Sequence, residues 1–127
     1  MSIGQRMIYH ITPRSEWVSA QAAGSYRPAS LESEGFIHCS TARQVPAVAQ
    51  AFYRGGVGLI ILAVNVRFLL SEVIWEPPAG KPTRGFSPQD LFPHIYGPIN
   101  FDAVLRIHDL ILVTNGVVIT PQLQEEN

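Results

Sequence analysis

One cysteine, one lysine and no long apolar run set the first limits on this chain of 127 residues. A lone Cys39 excludes an internal disulfide and any multi-cysteine zinc site, and it suits a reducing compartment. Eight of the nine basic residues are arginines, Lys81 being the exception, and they are scattered along a chain of formal net charge −1. No basic block is present, so the electrostatic footprint of tight, non-specific nucleic-acid binding is missing. The longest apolar run, Leu59 to Val64, falls far short of the roughly 20 residues that cross a bilayer. Met1 to Arg6 carries no apolar stretch of signal-peptide length. A soluble, cytoplasmic protein with no membrane partner is expected. Neither GxGxxG nor a P-loop is written here, so both familiar backbone cradles for phosphate are absent. There is no internal repeat and no low-complexity tract.

What is present is an ordinary globular composition, 46% hydrophobic and 15% charged, in a length that suits one domain. A folded core over 7–119 is predicted, with a polar tail at 120–127. Met7 to Thr12 has strand character, Tyr9 and Ile11 on one face and Ile8, His10 and Thr12 on the other. Thr12 then caps a helix over 13–23 with Pro13 in its first turn, and Gly24 stops it. Ser25 to Gly35 is polar and turn-rich and predicts a loop. Phe36 to Ser40 predicts a second strand, with Phe36, His38 and Ser40 sharing a face. Thr41 caps a second helix reaching Arg54, with Val45, Val48, Ala49 and Phe52 as its apolar stripe. Leu59 to Val64 does not alternate, which marks a central strand covered on both faces. Phe68 to Leu70 continues the core, and Val73 to Glu76 is a short strand. Residues 77–93 hold five prolines and two glycines, a connection long enough to suggest a functional cover. His94 to Gly97 reads as an edge strand, Ala103 to Ile107 and Leu110 to Val113 as a strand pair or one kinked strand, and Asn115-Gly116 as a hairpin turn. Two helices followed by about five strands is an α+β pattern.

The chemistry gathers on histidine. His10, His38 and His94 each lie in a short strand ahead of a turn or helix start, and strand ends converging at one sheet edge would bring them into one cleft. Tyr96, two residues after His94, projects to the same side of an extended chain. The ordinary alternative is a satisfied, half-buried strand histidine at each position. No histidine pair has metal-ligand spacing, and no metal is assigned. Cys39 sits next to His38 on the opposite strand face, so it reads as a buried structural thiol and not as a nucleophile. Trp75-Glu76 offers a flat platform and a carboxylate.

Tyr9-His10-Ile11-Thr12, Tyr26 to Leu31, Gly35 to Thr41, Trp75-Glu76 and Phe92 to Pro98 together resemble one family, the bacterial domain of unknown function numbered 952. The resemblance spans about Met7 to Leu112. It implies a compact ADP-ribosyltransferase-like fold, akin to that of the RNA 2′-phosphotransferases, in which two small antiparallel sheets hold NAD in a cleft. By that resemblance His10 takes the first signature position against the nicotinamide-side ribose, His38 the second, and His94 or Tyr96 the third. Thr12, Arg27, Ser40, Trp75 and Asn100 become the expected ligand-contacting residues. No glutamate stands at the third position, and Glu76 lies in another segment. The expectation is an enzyme-like domain for NAD or a related nucleotide, with ADP-ribosyl or phosphate transfer or NAD cleavage as its chemistry. A non-catalytic ligand-binding module and a histidine-ligated metal hydrolase are the rivals.

Overall fold

Leu59 to Val64 are all buried, and they form most of β3 (Leu59–Asn65), the middle strand of an antiparallel sheet ordered β1-β3-β6. β1 is Met7–Pro13 and β6 is Val104–Asp109. The absence of alternation in β3 has the expected cause, since apolar layers cover both of its faces. The computed structural model describes residues 7–78, 86, 87, 89–112, 118, 119 and 123. A second antiparallel sheet is ordered β2-β5-β4, from β2 (Ile37–His38), β5 (Phe92–Tyr96) and β4 (Glu72–Glu76). A short pair, β7 (Ile111–Leu112) and β8 (Val118–Ile119), closes the chain. The Asn115-Gly116 turn and most of the polar tail lie outside the described residues. The result is a mixed α+β fold with two small antiparallel sheets and few helices.

Side-chain parity decides the two cores. Ile8, Ile60, Leu62 and Val64 from the first sheet meet Ile37 and Ile95 from the second, with Trp17 and Tyr26 in the same cluster. The opposite face of the first sheet presents Tyr9, Ile11, Ile61 and Ala63 to Val45 and Ala49 of α3 (Val45–Phe52). The chain leaving β2 crosses from one sheet to the other. Tyr9 and Ser40 exchange two backbone hydrogen bonds of 2.8 Å, joining the sheets at one corner.

The helices show how local rules were met or overridden. α1 (Arg14–Ala23) begins one residue later than predicted. Pro13 occupies the cap position in extended geometry, and Thr12 turns inward to a partner described below. The expected loop at 25–35 contains a further helix, α2 (Ala29–Glu34), bounded by Pro28 and by a left-handed Gly35. It buries none of its residues, so it leaves no apolar stripe to find. Ahead of α3, Thr41 Oγ1 accepts from Gln44 N and Gln44 Oε1 accepts from Thr41 N, a reciprocal capping arrangement.

Two strand expectations are corrected. Of the stretch from Phe68 to Leu70, Leu69 packs against the core as expected, whereas Phe68 and Leu70 are 54% and 86% exposed and lie in or beside a 3-10 turn. β5 is the central strand of its sheet and not an edge. Pro93 is tolerated there because a residue's N–H and C=O point to the same side of an antiparallel strand. On that side Pro93 O already accepts from Cys39 N, at 3.1 Å and just beyond the end of β2. The missing donor therefore falls where the pairing stops.

Candidate functional site

Cross-strand register assembles the site on one face of the second sheet. His38 pairs directly with His94, and Ile74 lies opposite His94 on its other side. The next row carries Tyr96 opposite Glu72, and the row on the other side carries Phe92 opposite Glu76. Diagonal neighbours on such a face reach each other, and Glu76 does so. Its Oε1 accepts from His94 Nδ1 at 2.7 Å and from the Tyr96 hydroxyl at 2.6 Å. A carboxylate from β4 thus reaches both His94 and Tyr96 on β5. Both hydrogen bonds hold the Glu76 carboxyl below its ordinary range, and the same bond pushes the Tyr96 phenol up.

A carboxylate only accepts, so His94 Nδ1 carries the hydrogen, which leaves Nε2 as the ring nitrogen that can give up or take a proton. His94 is 3% exposed, and Nε2 has no partner among the described residues. Phe36 lies on the same ring, with centroids 4.1 Å apart and planes 21° apart, and also packs on His38 and Tyr96. The two imidazoles meet edge to face at 5.6 Å. His38 Nε2 stands 3.1 Å from both carboxylate oxygens of Glu34 in a half-exposed pair.

Both histidines line a cavity of about 350 Å³ at the corner where the sheets join. β1 supplies Tyr9 and Ile11, the chain after β2 supplies Cys39 and Ser40, α3 supplies Val48 and Phe52, and Phe92 comes from β5. Pro78 and Phe86, from the proline-rich connection, also border it. Residues 79–85 and 88 of that connection lie outside the described residues. Phe86 stacks parallel to Phe52 and meets Phe92 edge on, which gives the cavity an aromatic wall. Burial pushes the Cys39 thiol and the Tyr53 phenol up, so both remain neutral there.

Most of the other predicted residues fall elsewhere. His10 does not line the cavity, because β1 turns Tyr9 and Ile11 toward it and His10 toward the opposite core. Its Nδ1 is 2.7 Å from the His38 carbonyl and its Nε2 is 2.7 Å from the Tyr26 hydroxyl, which lies 2.9 Å from Thr12 Oγ1. Desolvation lowers His10 to about 4, so the ring is neutral at pH 7. A neutral ring donates from Nδ1 to the carbonyl and accepts at Nε2 from Tyr26, and Thr12 completes the chain by hydroxyl rotation. His10 and Thr12 are thus joined to the site from behind, through the His38 backbone. Ser40 lines the cavity, whereas Arg27 and Trp75 are surface residues that do not. Asn100 bridges Leu70 N, Phe68 O and Asp102 in a turn. Phe36 was not singled out by sequence; its alternation with His38 was the available signal. Among the described residues, no group of three or more His, Cys, Asp or Glu side chains is arranged to hold a metal ion.

A small α+β domain with a carboxylate-backed histidine at an apolar cavity is the class that fold and site define. The chain belongs to the DUF952 family of proteins of unknown function, whose pattern it matches over residues 11–107. It is similar to protein CC0527 from Caulobacter crescentus. The crystal structure of that protein is 35% identical over 89% of this chain and 93% of the other, with a TM-score of 0.74. Its solution NMR structure is 36% identical over 87% and 90%, with a TM-score of 0.67. No curated protein matches the chain. Among the described residues, no helix is long and apolar enough to cross a membrane.

Proposed function

We propose that this domain is a small enzyme acting on a nucleoside-type ligand, with NAD the candidate suggested by the ADP-ribosyltransferase resemblance, and that His94 is its general base. The observation that carries this reading is the Glu76–His94 hydrogen bond, which leaves a lone pair on a buried Nε2 at the cavity. Such a nitrogen can take the proton of a water or acceptor hydroxyl, a role typically contributing ~10²–10⁴-fold. NAD would supply a glycosidic bond whose leaving group departs as neutral nicotinamide, so the protein has one proton to manage and no acid to provide. Glu76 then works through His94, holding its tautomer and stabilising the imidazolium.

Size and lining favour part of a dinucleotide over the whole. A volume of about 350 Å³ lies at the low end for small-molecule sites, and the lining is mostly aromatic and aliphatic. No arginine or lysine is among the described lining residues. A ring and its sugar fit this cavity, and a diphosphate would lie outside it.

The test is a melting-temperature series with NAD, nicotinamide riboside, adenosine and ADP-ribose at millimolar concentration, alongside chromatographic detection of free nicotinamide. NAD and nicotinamide riboside are expected to raise the melting temperature, and nicotinamide release should fall about 100-fold in His94→Gln. Absence of any thermal shift overturns the ligand class. A thermal shift with no product makes the domain a binding module.

A further inference from the structure

We propose that Phe36 and Tyr96 are positioning residues that set the basicity of His94 in opposite directions. Phe36 acts by laying its ring on the imidazole, and Tyr96 by sharing Glu76 Oε1 with it. The consequence for turnover rests on His94 being the base, whereas the effect on His94 itself does not.

The geometry assigns the two signs. Phe36 stacks on His94 at 4.1 Å and 21°, so the imidazolium formed by proton capture sits against a π face that favours positive charge. Loss of that face makes the charged ring less favourable. Tyr96 does the reverse. Its hydroxyl, 2.6 Å from Glu76 Oε1, draws on the same oxygen that His94 Nδ1 uses at 2.7 Å. A carboxylate oxygen that satisfies two donors is a weaker base toward either. Removing the hydroxyl leaves Oε1 to His94 alone and makes the charged ring more favourable.

The other groups facing His94 do not change sign between the variants. Glu76 from β4 is common to both. His38 from β2 stays paired with Glu34, and across the cavity burial pushes the Cys39 thiol and the Tyr53 phenol up, which keeps both uncharged at neutral pH. A purely structural role has a different signature. Loosening the packing around a ring that is 3% exposed would admit water, and water favours the charged form in both variants alike.

The experiment is an NMR titration of the His94 ring in the intact chain, assigned with His94→Gln, comparing wild type with Phe36→Leu and Tyr96→Phe. Leucine keeps an apolar cover of similar size without the π face. The midpoint is expected to move down by about half a pH unit in Phe36→Leu and up by about the same in Tyr96→Phe. Phe36→Tyr should hold the wild-type midpoint, since it keeps the aromatic face. Movement of both variants in the same direction, or of neither, overturns the proposal. If nicotinamide is released, the acid limb of the kcat/KM profile should follow the two midpoints. Opposed midpoints with no turnover of any ligand would leave this inference standing and remove the proposed function.

Discussion

The same side chain meets two fates in this fold, and hydrogen-bond accounting separates them. His94 has one nitrogen tied to a carboxylate and the other turned to a cavity, whereas both nitrogens of the buried His10 are used in hydrogen bonds within the fold. His10 is therefore a strut whose protonation opposes folding. Its folded value is depressed to about 4 from an unfolded value near 6.5. The unfolded chain binds the extra proton, so stability is complete above pH 6.5 and is lost as pH falls toward 4. The loss attributable to His10 between pH 7 and pH 4.5 should be about 2 kcal/mol, measured by urea unfolding at the two pH values. His10→Gln should flatten that slope, at a cost of about 1–3 kcal/mol at pH 7 from imperfect partners for the His38 carbonyl and the Tyr26 hydroxyl. An unchanged slope in the variant would assign the acid sensitivity to another group.

At the scale of elements, β5 concentrates the site because it is paired on both sides and ends abruptly. Gly97 follows Tyr96 with φ of 154°, and Ser71 lies where a β-carbon would be placed. Ser71 Oγ donates to Pro98 O at 2.6 Å, tying the end of β5 to the start of β4. Gly97→Ala is expected to destabilise by about 1–3 kcal/mol, by strain and by displacing Ser71. It should also disturb the Tyr96 hydroxyl, visible as a change in the Tyr96 ring resonances. Sequence pattern reached much of this level. Alternation placed Tyr9 and Ile11 opposite His10, and the unbroken apolar run found the centre of the first sheet. It missed α2, which buries nothing, and it took β5 for an edge because Pro93 cannot donate. What cancels that objection is a hydrogen bond from Cys39, a residue 54 positions away in the chain. Short-range pattern cannot supply it.

For the whole molecule, the decisive arrangement is the corner where the sheets join, with Val48 and Phe52 of α3 and with Pro78 and Phe86 bordering its cavity. Three histidines in similar strand contexts suggested a common cleft, and two of them share one. The third is excluded by the parity of β1 relative to a bridge, Tyr9 to Ser40, that only tertiary structure fixes. Glu76 was legible as a carboxylate next to Trp75, but its partnership with His94 depends on the β4–β5 register. The cavity and the dyad are therefore separable by mutation. Val48 is a half-buried α3 residue on the cavity wall, so Val48→Phe adds volume toward that space with its backbone anchored in a helix. The fold should persist, with a melting temperature within a few degrees of wild type, because the added ring fills a void and does not overpack a core. The ligand-induced thermal shift should disappear. Glu76→Gln should behave in the opposite way, preserving the thermal shift and reducing nicotinamide release about 10–100-fold, since an amide cannot fix the His94 tautomer with a charge. Retained thermal shift in Val48→Phe would place the ligand elsewhere on the molecule, and undiminished release in Glu76→Gln would remove the carboxylate from the mechanism.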